Sequence, residues 1–251
     1  MKNKILNPDY VSPSLGGRLG NNMFMIANAY AQSLEQNKQF VVPLKQLMLD
    51  QFQSNIFRKI DFFIDQPNES SYSGYFQSEK YFEKYSEAVK SLFSPTPEFL
   101  KKAAWLYPFI ENEVTCISVR RGDYLYYSDI HPVLSIEYIH QAYKQLPDTP
   151  YCLVFSDDKE WCKKNIDIPN AIFVDLLVHE QMWLMALCDY FIISNSSFSW
   201  WGAYLSRSPK KQVIAPQSWF GEAGPSVWQD IYCKDWIVKS TYIHNGVIFP
   251  A

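Results

Sequence analysis

The sequence predicts an α/β protein whose C-terminal half is built on a mainly parallel sheet. Two observations predict it. Beyond residue 111, short runs rich in Val, Ile, Phe and Tyr alternate with segments of helical spacing, which is the pattern of strand–helix–strand crossovers. Polar clusters also follow directly on three of those runs, where the loops at the carboxyl edge of a parallel sheet fall. The 251 residues are 47% hydrophobic and 20% charged, so the chain can bury a core. That length allows one large domain or two small ones. A boundary is expected near residue 111, giving lobes 1–110 and 111–251.

The first lobe opens on a strand around Tyr10–Leu15, which Pro13 makes an edge or irregular. A glycine-rich turn follows, Gly16-Gly17-Arg18-Leu19-Gly20-Asn21-Asn22, then a helix over Met23–Ala31 with buried and polar faces. Gln39–Pro43 reads as a short strand, completing a strand–turn–helix–strand unit. Residues 44–110 are less regular, with several helices, breaks at Pro95 and Pro97 and a connector over Pro108–Asn112. In the second lobe, strands are expected at Val114–Val119, Tyr151–Phe155, Ala171–Val174, Tyr190–Ser194 and Gln212–Ala215, the last closed by Pro216. Helices are expected at Ser135–Gln145, Asp158–Lys164, Glu180–Cys188 and Ser196–Leu205.

Composition excludes several classes. A formal charge of -3 lacks the basic excess that general nucleic-acid binding needs. No apolar run reaches the ~20 residues of a membrane span, and the two lysines at the N-terminus have no apolar segment behind them, so no secretory signal is expected. Five cysteines without a CxxC pair suit reduced, buried thiols and a cytoplasmic protein. No two of the four histidines stand at metal-ligand spacing and no Asp-x-Asp triplet occurs, so no metal or other cofactor is expected. Aromatic residues reach 17%, which serves either core packing or the stacking of sugar rings.

The polar clusters carry the chemistry. Arg120-Arg121-Gly122-Asp123-Tyr124 follows the first strand of the second lobe, Ser156-Asp157-Asp158 the next, and Asn195-Ser196-Ser197 the fourth. In a parallel sheet these strand ends share one edge. Paired arginines suit a diphosphate through bidentate, permanently charged contacts. Asn195, Ser196 and Ser197 at a helix start offer N–H groups, hydroxyls and the positive end of the helix dipole. Asp157 or Asp158 can accept from guanine N–H groups or ribose hydroxyls. Each cluster also has an ordinary reading: an arginine pair is commonly a surface feature, and Ser-Asp-Asp and Asn-Ser-Ser are commonly helix caps. Their convergence is what points to a nucleoside diphosphate held without a metal ion.

At these residues the sequence resembles the α-1,2-fucosyltransferases of glycosyltransferase family 11, over roughly residues 14–220. Gly16-Gly17-Arg18-Leu19-Gly20-Asn21-Asn22-Met23-Phe24 is similar to the family's GGLGNQMF opening, and Gly74–Phe82 to its GYWQSEKYF segment. Ser118–Tyr124 is similar to HxRRGDY, Phe155–Asp158 to FSDD, and Ser196–Gly202 to SSFSWWG. The resemblance implies a GT-B-like fold of two Rossmann-like lobes, with GDP-fucose as donor and a galactose-terminated glycan as acceptor. It also implies inverting transfer to the galactose 2-hydroxyl without a metal. It places Arg120 on the donor's β-phosphate, and Arg18 and Asn21 facing the cleft from the first lobe. The chain departs from the motifs at Ser118, where the family has histidine, at Asn22, where it has glutamine, and at Pro13 within the first strand.

Catalytic roles are therefore expected for Arg120 and Arg121, which would stabilise charge developing on the leaving diphosphate. For the proton of the acceptor hydroxyl, Asp123, Asp129 and His131 are candidates, and Asp123 has an alternative role as a salt-bridge partner that holds the arginine loop. Trp200, Trp201, Phe76 and Tyr81 are read as packing residues. Two other functions stay open: transfer of another deoxysugar in an O-fucosyl or rhamnosyl linkage, and carbohydrate binding without catalysis.

Overall fold

Glycine begins the N-terminal fold. Gly17 has φ +73°, and a Cβ there would stand 2.6 Å from Asn21 Nδ2, so the turn requires a residue without a side chain. The turn delivers the chain from β1 (Tyr10–Val11) into α1 (Leu19–Glu35), and the chain returns as β2 (Gln39–Phe40), which pairs parallel with β1. β1 ends two residues before Pro13, which itself makes only an isolated bridge. The helix is more enclosed than an amphipathic stripe: Met23, Phe24, Ile26, Ala27 and Ala29 are buried, and so are Asn22 and Asn28. β3 (Val42–Pro43) pairs parallel with β4 (Phe63–Ile64).

This computed structural model describes residues 10–43, 63–64 and 74–251. Most of the irregular stretch expected after Pro43 lies outside the described residues. The chain divides into two compact units, Met1–Ser94, which ends with α2 (Ser86–Phe93), and Pro95–Ala251. The division thus falls earlier than the expected 110/111. Pro97 does not break structure but starts it: it opens α3 (Pro97–Leu106), capped by Thr96 Oγ1, which accepts from Phe99 N at 3.2 Å. α3 belongs to the second unit because Phe99 packs against Trp183, with ring centroids 5.3 Å apart, and Lys102 pairs with Glu180 at 2.6 Å. The expected connector is anchored there too, with Phe109 stacked on Tyr151 at 4.0 Å.

The second unit holds a six-stranded, wholly parallel sheet in the order β11–β10–β9–β5–β7–β8. Its strands are β5 (Val114–Val119), β7 (Tyr151–Ser156), β8 (Ala171–Phe173), β9 (Tyr190–Ile192), β10 (Gln212–Pro216) and β11 (Ile237–Lys239). The connecting helices are α4 (Ile136–Tyr143), α5 (Lys159–Asn165), α6 (Val178–Met185) and α7 (Ser197–Leu205). Every residue of β5 is buried, as expected for a central strand covered on both faces. β5 and β9, the first and fourth of these strands along the chain, are neighbours, with Ile117 opposite Ile192. Strand order reverses there, and it is at such a switch point that α/β sheets open a crevice for ligands.

A second, three-stranded sheet joins β6 (Val133–Leu134) to a C-terminal hairpin, β12 (Thr241–His244) and β13 (Val247–Pro250). Asn245 and Gly246 form its turn with φ +48° and +72°, the pair of left-handed residues a two-residue hairpin favours. Trp200 and Trp201 are fully buried, so the packing reading of this pair is correct. Phe76 and Tyr81 contact each other edge-to-face at 5.2 Å, although Tyr81 remains exposed. All five cysteines are buried and free, and burial pushes the thiols of Cys116, Cys152 and Cys162 up.

Candidate active site

The switch point carries a pocket of about 310 Å³, within the range of small-molecule sites. It is lined from the ends of β5 and β7, from α6 and from the start of α7. The two arginines that follow β5 part company. Arg120 lines the pocket. Its Nη1 donates to Asp157 Oδ2 at 2.8 Å and its Nη2 to Asp123 Oδ1. A guanidinium carries five N–H donors, so two ion pairs orient it and leave donors for an anion. Arg121 turns to the α5 side: its Cζ lies 3.9 Å from the Trp161 ring centroid and its Nε donates to Asp158 Oδ2 at 3.2 Å.

The aspartates are committed in the same way. Asp157 receives the backbone N–H of Arg121 at 2.9 Å as well as the Arg120 guanidinium. A Cβ on Gly122 would collide with Asp157 Oδ2, so the glycine of this loop is what lets the carboxylate reach Arg120. Asp158 caps α5 by accepting from Trp161 N at 3.2 Å, and holds Arg121 with its other oxygen. Asp123 is the salt-bridge partner of Arg120, one of the two roles the sequence left open. Asp129 is exposed and does not line the pocket; its carbonyl accepts from Ala223 N at 3.1 Å.

The β9 side supplies a helix start. Ser196 lines the pocket and caps α7, its Oγ accepting from Phe198 N at 3.3 Å. The first N–H groups of a helix and its dipole favour an anion at this end. Ser199 Oγ, one turn in, lies 2.7 Å from Ser118 Oγ and 2.8 Å from Ser194 Oγ. This chain of hydroxyls ties β5 to β9, and Ser118, standing where the resembled motif has histidine, spends its hydroxyl within it. Asn195 is a buried staple: its Nδ2 donates to the carbonyls of Pro132 at 2.9 Å and Trp219 at 3.0 Å. Ser197 sits beside Ser196 at half exposure, off the pocket wall.

Sequence reasoning missed Tyr124 as a working residue. Its ring lies 5.3 Å from Arg120 Cζ on one side and stacks on His131 at 4.7 Å on the other, while its hydroxyl donates to the Asn195 carbonyl at 3.1 Å. One side chain thus connects the arginine of β5 with the turn after β9. Burial pushes its phenol up to about 12, so it stays a hydrogen-bond donor at neutral pH. His131 is half-buried between Tyr124 and Phe220, and burial lowers its pKa. Arg18 and Asn21 lie in the N-terminal unit, Arg18 exposed at the cap position of α1 and Asn21 accepting from Gln77 Nε2 at 2.8 Å.

Charge alone does not make this an anion site. Around Arg120, Arg121 and Lys159 stand Asp123, Asp157, Asp158 and Asp175. The donors on the pocket wall include the Arg120 guanidinium and the Ser196 hydroxyl, while the Phe198 N–H is bonded to Ser196 Oγ and the Ser196 N–H to the Ser194 carbonyl. Among the described residues no group of three His, Cys, Asp or Glu side chains is gathered for a metal ion, and no helix is long and apolar enough to cross a membrane.

The fold comparison finds the same architecture in a glycosyltransferase. The structure of the alpha-1,6-fucosyltransferase NodZ soaked with GDP-fucose matches with a TM-score of 0.54 at 12% identity, over 80% of this chain and 93% of that one. The fold is GT-B-like, as the sequence led us to expect. The chain belongs to glycosyl transferase family 11, whose family model matches residues 32–240. It is 30% identical to an alpha-1,2-colitosyltransferase of Escherichia coli, over 82% of this chain and 91% of that protein. It is 27% identical to a galactoside 2-alpha-L-fucosyltransferase of Caenorhabditis elegans, over 53% of this chain and 42% of that protein.

Proposed function

We propose that the protein transfers L-fucose from GDP-fucose to the 2-hydroxyl of a terminal β-galactoside, with inversion at the sugar's anomeric carbon and without a metal ion. One observation carries this reading: Arg120, held by two carboxylates at the carboxyl end of β5, lines the crevice that the start of α7 closes from the other side. As the glycosidic bond breaks, the sugar becomes oxocarbenium-like and negative charge collects on the departing GDP. Arg120 and the N–H groups and hydroxyl around Ser196 meet that charge, each such donor being worth ~2.7–4 kcal/mol in a preorganised site. The galactoside fucosyltransferase among the relatives supports the acceptor. The five buried free thiols support a reducing, cytoplasmic setting.

The colitosyltransferase relative favours a second reading. Colitose is L-fucose without its 3-hydroxyl, so the same diphosphate grip serves either donor. A site built to hydrogen-bond that hydroxyl discriminates strongly against the sugar lacking it, whereas a site without such a partner does not. The test is incubation with GDP-fucose or GDP-colitose and a panel of galactosides in EDTA, with products read by mass and linkage analysis. A 1,2-linked fucosyl product in chelator is expected. Transfer of colitose alone would favour the second reading, and no transfer of either sugar would reject both.

A further inference from the structure

We infer that Gln181 on α6 reads the purine of the nucleotide, making the α6 wall of the pocket a guanine-selective subsite. This rests on the proposed GDP-sugar donor and adds where its base is recognised. The sequence offered Asp157 or Asp158 for that task, but Asp158 does not line the pocket, and both oxygens of Asp157 are turned to the Arg120 guanidinium and the Arg121 N–H. The pocket extends from Arg120 to α6, where Gln181 and Val178 line it together with Phe198 of α7 and Lys159 of α5.

Guanine presents two adjacent donors, N1–H and the 2-amino group, and a carbonyl acceptor beside them. A protein that selects it needs an acceptor facing those donors. Among the other polar side chains on this wall, Arg120 and Lys159 can only donate. Ser118 and Ser199 are bonded to each other, Ser196 Oγ accepts from Phe198 N, Ser156 Oγ accepts from Asp158 N, and Asp157 is paired. Gln181 differs. Its Nε2 donates to the Leu176 carbonyl at 2.8 Å, which fixes the amide so that Oε1 is its acceptor end. Oε1 can receive N1–H or the 2-amino group, the Lys159 ammonium, which gives one of its three N–H groups to Asp175, can donate another to O6, and Val178 and Phe198 supply an apolar wall for the ring. Adenine, with no N–H at N1 and a donor in place of O6, meets the wrong partners at both positions.

Calorimetric titration of the full-length protein with GDP, ADP and pyrophosphate tests the assignment in the wild type, Gln181→Ala, Gln181→Glu and Arg120→Ala. Loss of one such hydrogen bond weakens binding about tenfold. Gln181→Ala should therefore lose about tenfold for GDP, narrow the preference over ADP and leave pyrophosphate unchanged. Gln181→Glu keeps an acceptor there but loses the Nε2 bond to the Leu176 carbonyl, so it should bind GDP more weakly than the wild type while keeping the preference over ADP. Arg120→Ala should weaken GDP and pyrophosphate alike. Unchanged GDP affinity in Gln181→Ala, beside loss in Arg120→Ala, would overturn the base subsite while leaving the donor reading standing. Equal loss of GDP and pyrophosphate in Gln181→Ala would also overturn it, as a structural effect. A wild type that binds no GDP would remove the donor reading itself.

Discussion

Two neighbouring parts of the sheet edge hold the same chemistry and put it to different uses. At the β5/β9 crevice, Arg120 faces a pocket with carboxylates behind it. At the β5/β7 junction, Arg121 lies against Trp161 with its own carboxylate, which also caps α5. The residues are adjacent in sequence and chemically identical. What separates them is their partners: Asp123 and Asp157 hold Arg120 on the pocket wall, while Asp158 and Trp161 hold Arg121 against α5. Here one arginine of the pair lines the pocket and the other braces α5.

The largest expected effect breaks that comparison directly. Arg120→Ala should lower turnover by ~10²–10³, far more than the stability it loses by leaving Asp123 and Asp157 unpaired can explain. Arg121→Ala should cost less than tenfold in turnover but lower stability by about 1–2 kcal/mol, through the lost stacking on Trp161 and the unpaired Asp158. Steady-state kinetics and thermal melts on both variants decide it, and equal kinetic losses would erase the distinction.

Next in size is Tyr124→Phe. The ring contacts survive, but the bond to the Asn195 carbonyl is lost, and about tenfold in kcat should go with it. Unchanged kcat would show that Arg120 and the β9 turn are positioned independently. For the carboxylates, Asp123→Asn should lower kcat by loosening Arg120 while leaving the shape of the pH–rate profile unchanged, whereas Asp129→Asn, exposed and off the pocket wall, should leave both unaltered. A shifted profile in Asp129→Asn would return it to the list of proton acceptors.

The smallest effect concerns His131. Burial lowers its folded pKa below the ordinary 6.5, so the unfolded chain takes up the proton first. Its contribution is fully present above that value and is lost as pH falls below it. His131→Phe, which keeps an aromatic ring against Tyr124, should lose less stability than the wild type between pH 7 and 5, as read from denaturant midpoints. Parallel losses would contradict this.

Much of the second unit was legible because its strands are short β-branched and aromatic runs followed at once by polar loops. Val114–Val119 before Arg120 is the clearest case, and the strand matches the expected residues. What stayed hidden depends on long-range contact. Asn195 reads as cap chemistry, but it is spent on carbonyls at Pro132 and Trp219. Pro97 reads as a break, but tertiary packing through Phe99 and Lys102 makes it a helix start. One local signal was passed over: Asn245-Gly246, flanked by Tyr242-Ile243 and Val247-Ile248, marks the C-terminal hairpin. Gln181 carried no local mark, since only the fold brings α6 to the pocket.

In the proposed reaction the Arg120 guanidinium and the start of α7 hold a diphosphate without help from a cation. Titration of GDP into chelator-treated protein, wild type beside Arg120→Ala, tests it most directly. Undiminished affinity of the wild type in EDTA, with a loss of tenfold or more in the variant, is the predicted result. Binding that disappears with the chelator, or that survives intact without Arg120, would contradict it.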